Sequence, residues 1–182
     1  MPTLPPNLTS PNIGNLVVGR GYLSMKLIGE SSFQDMGNAT RLTLQVNPTR
    51  LDHYSSRIGV RRKDLTVVTQ LDAKMTMTLE EATVRNMQLM VLGLGQESAA
   101  DSIQLMEEPL FYAAINFTAT NVVGPRWNVV LPNVLLTPTN AFMLIAEGSG
   151  TWASMEIEGD IQFDQVSQGF GWMWTDDFVP AH

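Results

Sequence analysis

The chain of 182 residues contains no cysteine and only two histidines. The first absence removes disulfides, thiolate metal ligands and cysteine nucleophiles together. The second leaves His53 as the single internal imidazole and makes a soft metal site improbable on donor chemistry. Charge is also sparse, at 16% of residues, and Asp and Glu outnumber Lys and Arg by 18 to 11. The resulting net charge of −7 excludes binders that grip phosphates through basic patches. No apolar run approaches the roughly 20 residues of a membrane-spanning helix. The opening "MPTLPPNLTSPNIGN" has neither the basic n-region nor the apolar h-region of a signal peptide, so the sequons at Asn7, Asn38 and Asn116 carry no weight. What remains reads as a soluble protein, 44% hydrophobic, long enough to bury a core in one domain.

What is present is alternation. Leu23, Met25 and Leu27 oppose Tyr22, Ser24 and Lys26; Leu42, Leu44 and Val46 oppose Arg41, Thr43 and Gln45. In "DLTVVTQLDAKMTMT" the apolar parity is Leu65, Val67, Leu71, Ala73, Met75 and Met77, against Gln70, Asp72, Lys74 and Thr76. Phe111, Ala113, Ile115 and Phe117 repeat the pattern against Tyr112, Asn116 and Thr118. Successive side chains of a strand point to opposite faces, so each segment predicts a strand with one buried and one polar face. "RWNVVLPNVLLTP" predicts an edge or bent strand, because Pro132 cannot donate to a ladder. "AFMLIAEG" predicts a further strand. One helix is expected over residues 78–93, from a capping box of Thr78 and Glu81 to a left-handed end at Gly93.

The fold class that follows is mainly β: a two-sheet antiparallel sandwich or half-barrel with one flanking helix. Residues 1–15 read as an N-terminal arm, 16–165 as the β domain, and 166–182 as an extension carrying Trp172 and Trp174, suited to burial against its own domain or a neighbour. Residues 47–63 read as a long loop, and such loops in compact domains usually carry function. Arg50, Arg57, Arg61, Arg62 and Lys63 make this the most cationic part of an acidic chain.

The sharpest pattern is "SMEIEGDIQFDQ". Glu156, Glu158, Asp160 and Asp164 share one parity, and Met155, Ile157, Ile161 and Phe163 the other. Carboxylates two residues apart on a strand sit roughly 6–7 Å from each other, a spacing that suits an acid/base pair. A row of equal carboxylates gives no asymmetry to split their pKa values, however, and a solvated polar face explains the pattern equally well. Asp52, His53 and the adjacent serines do not make a nucleophile system either, because a triad needs its members brought to hydrogen-bond distance by the fold. "GLGQ" follows a helix rather than a strand and is no nucleotide fingerprint. The residues point to no catalytic centre, cofactor or metal.

The order of features is itself informative. Gly19-Arg20-Gly21 precedes the first long strand; "LDHYSS" and "GVRRKD" follow, then a long alternating strand, a helix opening Thr-Leu-Glu-Glu, and the strand bearing Glu156 and Glu158. Over residues 16–164 this resembles the major tail tube protein family of long-tailed, non-contractile bacteriophages. The resemblance implies hexameric rings stacked into a tube, each subunit lending four strands to a shared inner β-barrel. It implies that Asp52, His53, Tyr54, Arg61, Arg62 and Lys63 reach a neighbouring subunit or ring. It further implies tape-measure protein in the bore, terminator and distal tail proteins at the tube ends, and phage DNA in transit without specific binding or any membrane contact. Twenty-four strands about 4.8 Å apart and tilted by about 40° close into a barrel of roughly 48 Å, which admits a DNA duplex. Glu156, Glu158, Asp160 and Asp164 then become a non-stick lining. The tube of a contractile tail or secretion system is the nearest alternative, and a stand-alone acidic β-sandwich that binds a ligand is an alternative of another class.

Overall fold

The computed structural model describes residues 19–57, 59–95, 102–140 and 153–176. The predicted arm at 1–15 and the predicted strand "AFMLIAEG" lie outside the described residues. In chain order the elements are β1 (Gly21–Leu27), β2 (Gln34–Asp35), β3 (Ala39–Ser55), β4 (Arg62–Leu79), α1 (Val84–Val91), β5 (Leu94–Gly95), β6 (Ile103–Gln104), β7 (Phe111–Ala119), β8 (Trp127–Pro138), β9 (Met155–Ile161) and β10 (Trp172–Thr175). All but β5 and β6 form one antiparallel sheet in the order β2-β1-β7-β8-β9-β4-β3, with β10 added beside β8. The sheet curls without closing, giving the expected mainly β half-barrel with one helix against it.

The alternation explains the curl. Leu23 and Met25 of β1, Met75, Met77 and Leu79 of β4, Ile115 of β7, Val134 of β8 and Ile157 of β9 all turn to one side and are at most 2% exposed. Burying a side chain of this size contributes about 1.5–3 kcal/mol, so this inner face holds most of the folding free energy. Gly159 interrupts the apolar parity of β9 for a steric reason. A Cβ there would stand 2.5 Å from Val134 Cγ1 and 2.7 Å from Met75 Cγ, so the neighbouring side chains pack directly over its backbone.

Helix α1 is shorter than expected and starts later. Thr78 and Leu79 belong to β4, where Leu79 is buried opposite Ala39 and Met155. The N-cap is Thr83, whose hydroxyl accepts from the Asn86 amide, and the left-handed end is Leu92 at φ 49°, not Gly93. Glu81, read as the partner of Thr78, accepts instead from the Asn38 amide at 2.8 Å. Arg85 ties the helix to the end of β1: its guanidinium engages both carboxylate oxygens of Glu30 and donates to Gln34 Oε1 and the Met25 carbonyl. This bidentate pair, led by the Arg85 hydrogen bond, holds the Glu30 carboxyl below its ordinary 4.5. Asn86, fully buried, donates to the Met36 and Glu81 carbonyls.

Two further expectations change. β8 is an interior strand, not an edge. Pro132 is tolerated because it falls between the β10 pairing that ends at Val130 and the β9 pairing that begins at Val134, opposite an irregularity in β7 between Ala113 and Ile115. The stretch read as an extension contributes β10, and Trp172 there is 40% exposed.

Candidate functional site

The stretch read as a loop at 47–63 is a β-hairpin. β3 and β4 stay paired from Leu79 opposite Ala39 out to Ser55 opposite Arg62, so most of that stretch is ladder rather than loop. The two strands have different neighbours along their length. Ala73 to Leu79 of β4 are covered by β9, whereas Arg62 to Asp72 pair with β3 alone. Among the described residues the outer half of the hairpin is therefore a two-stranded arm with no further strand on either edge.

The arm is apolar on both faces. The pairing irregularity between Thr49 and Arg50 re-aims the ladder, so Val46, Val68 and Leu71 lie on one side and Leu51, Leu65 and Val67 on the other. All six are between 47% and 67% exposed. This corrects the expectation that Leu65, Val67 and Leu71 join the domain's own core. Leu44 and Val46 of β3, expected inside, are likewise exposed.

Near the turn, polar side chains satisfy one another. Asp52 accepts from Thr66 Oγ1 at 2.7 Å and meets Lys63 Nζ at 2.7 Å; Lys63 first and Thr66 second hold its carboxyl below the ordinary 3.8. His53 Nδ1 lies 2.6 Å from Asp64 Oδ1, and the Arg61 guanidinium sits 5.3 Å from the centre of the Tyr54 ring. Asp52, His53, Tyr54, Arg61 and Lys63 are thus brought together, but within one hairpin. Arg50, Arg57 and Arg62 have no ion-pair partner among the described residues.

The acidic strand keeps its parity over β9 only. Met155, Ile157 and Ile161 are buried, while Glu156, Glu158 and Asp160 look outward. Asp164 is not in the row. It lies past the strand end in a turn bridged to Gly169, where its carboxylate accepts from the Ser167 amide at 2.7 Å and is held below the ordinary 3.8 by Ser167. Phe163, expected in the core, is 48% exposed and packs edge-on against Phe170 at 5.5 Å.

The row also has a counter-ion that sequence reasoning missed. β4 lies beside β9 with Lys74 opposite Asp160 and Thr76 opposite Glu158. Lys74 Nζ bonds Glu158 and stands 3.6 Å from Asp160, so its ammonium is raised above the ordinary 10.5, by Glu158 first and Asp160 second. The signal was the position of Lys74 on the polar parity of its own strand; what was missing was the pairing of that strand with β9. With Arg41 and Asp72 on the same outward face, β3, β4 and β9 together present two net negative charges, not a pure wall of carboxylates.

Among the described residues no cluster of His, Asp and Glu is arranged to hold a metal, and no helix is long and apolar enough to cross a membrane.

No curated protein matches this chain. Among solved structures, a chain of the cryo-EM structure of the anti-feeding prophage (AFP) baseplate, 6-fold symmetrised, is similar at a TM-score of 0.58 and 14% identity, over 87% of this chain and 95% of that one. At that identity the likeness concerns the fold. The family described as "Protein of unknown function UCP028589" matches residues 16–110, more than half of the sequence, and the chain belongs to that family.

Proposed function

We propose that this chain is a structural subunit of a phage-type tail, assembling with copies of itself into a hollow tube through which genomic DNA passes. The observation that carries the reading is the β3–β4 arm. A two-stranded ribbon is at best marginally stable alone in water, and this one exposes apolar side chains on both faces and, among the described residues, has no strand beyond either edge. Lying between neighbouring subunits would cover all four surfaces. The fold likeness to a chain of a six-fold prophage baseplate gives independent support.

Within that reading the outward face of β9 lines the bore. Its action on DNA is weak repulsion. Two net charges per subunit are screened over a Debye length of about 8 Å, and Lys74, already bound to Glu158 and Asp160, offers phosphates little grip. The subunit would be the major tube protein of a long, non-contractile tail, with tape-measure protein in the lumen before ejection and terminator and distal tail proteins at the ends. It would have no catalytic role. The baseplate likeness also favours a second reading, a ring component of a tail baseplate that stops at single discs.

Negative-stain microscopy of the concentrated protein tests both. Hollow tubes with six-fold averages are expected. Single six-fold discs would favour the baseplate reading, another rotational symmetry would remove the hexamer, and a monomer at every concentration would overturn assembly and favour a ligand-binding sandwich.

A further inference from the structure

The half-barrel leaves a seam where its first and last long strands approach each other. Between the start of β1 and the start of β3 lies a cleft of about 140 Å³, with Arg20 and Arg41 on its rim and Leu23, Leu42 and Phe117 beneath. It runs into an apolar hollow of about 270 Å³ that adds Leu44, Val129 and Met173. Neither arginine has an ion-pair partner among the described residues, in a chain of net charge −7. An apolar floor under two free cations fits an apolar segment that carries carboxylates.

The same chain displays such a segment elsewhere. Between β6 and β7, Leu105 is 61% exposed, Met106 83% and Leu110 51%, with Glu107 and Glu108 among them. The knob is built rather than loose. The Met106 amide donates to the Val91 carbonyl at 3.1 Å and the Glu108 amide to the Leu92 carbonyl at 3.0 Å, and Met106 is held at φ 59°, an uncommon conformation for a residue with a side chain. Gln104 Nε2 donates to Glu107 Oε1, fixing that carboxylate.

We infer that the acidic knob at residues 105–110 of one copy docks into the Arg20–Arg41 cleft of the next. One molecule cannot make this contact with itself. The knob adjoins Phe111 at one end of β7, the cleft is lined from Phe117 and Ala119 at the other, and a strand of nine residues separates them by roughly 26 Å. The arm is a poorer occupant, because Arg50, Arg57 and Arg62 would meet two arginines of like charge. Two complementary patches at opposite ends of one strand make a heterologous, head-to-tail contact, which closes into a ring or propagates along an axis. The inference rests on the reading that copies assemble, and it names one of the surfaces through which they do.

Sedimentation velocity of the full chain tests it. R20E/R41E and E107K/E108K should each weaken self-association at least about tenfold while melting close to the wild type, since Arg20, Arg41 and Glu107 are exposed and Glu108 is only half-buried. Mixing the two variants should restore assembly, because the native knob of one meets the native cleft of the other and the reversed knob meets the reversed cleft. Combining all four changes should restore assembly. Variants that associate as the wild type does overturn the proposal and leave the cleft to another occupant, such as the residues preceding Gly19. If tubes persist through the charge reversals, this contact falls and the tube reading stands. If association obeys the charge rules but the particles have no bore, the contact stands and the tube reading falls. A wild-type protein that never associates overturns both.

Discussion

The two halves of β4 are built from the same alternating pattern and meet different fates. From Ala73 to Leu79 the strand is flanked by β3 and β9, and Met75, Met77 and Leu79 are sealed in the core. From Arg62 to Asp72 it has β3 alone, and Leu65, Val67 and Leu71 face solvent. Alternation specifies a half-buried strand but not whose surface buries it. The inner half is covered by its own chain, and the outer half presents the same kind of face to solvent. Folding free energy is therefore concentrated in the body, and on the proposed reading the arm's apolar residues serve assembly.

Substitutions can break that contrast at either end. The largest effect belongs to Ile157→Asp in the body. An unpaired carboxylate at a fully buried position should cost more than about 4 kcal/mol and leave insoluble protein. A soluble variant with a wild-type urea midpoint would mean that this face is not the core. Met77→Ala comes next, with an expected loss of about 2–5 kcal/mol in the same titration, from lost transfer energy and the cavity left behind.

Arg85→Met should destabilise by about 1–3 kcal/mol, because Glu30 loses its bidentate partner at a partly buried site. The pair also gives the body an acid limit. The folded pKa of Glu30 is depressed, so its contribution is fully present above about 4.5 and lost as pH falls through the lower folded value. Acid melts of the wild type should show that loss and those of Arg85→Met should not; parallel curves would remove the pair from the account. The smallest effect on the monomer belongs to the arm. Val67→Asp should shift the urea transition by less than about 0.5 kcal/mol, since Val67 is already 47% exposed, yet abolish tubes or rings in micrographs. A monomer destabilised as strongly as by Met77→Ala would show that the arm folds against its own body.

Much of the body was legible in the sequence, because Met155, Ile157 and Ile161 on a regular strand leave one choice of face. The helix start was misread where two signals competed. Thr78 and Glu81 form a capping box on paper, but the ladder with Ala39 and Met155 and the burial of Leu79 outweigh a cap of about 1 kcal/mol. The arm was misread as a loop because Asn47-Pro48 is a turn signal and the residues beyond it are charged. Pro48 is accommodated because β3 is the edge strand of the sheet among the described residues. The site was legible as a list of residues but not as pairs. That Lys63 faces Asp52, and Lys74 faces Glu158, depends on which strands are neighbours, and alternation within one strand carries no such information.

β4 runs for 18 residues without a break from the core to the arm's turn, roughly 55 Å at about 3.3 Å per residue. A pull on the arm along that line acts on the β3–β4 ladder in shear. Its hydrogen bonds, lying across the strands, are then loaded together. A pull across the ribbon would load them one pair at a time and peel the strands apart. Single-molecule extension should therefore find the hairpin mechanically strong along its length and weak across it. In the proposed tube such a part would transmit tension from subunit to subunit without needing much stability of its own.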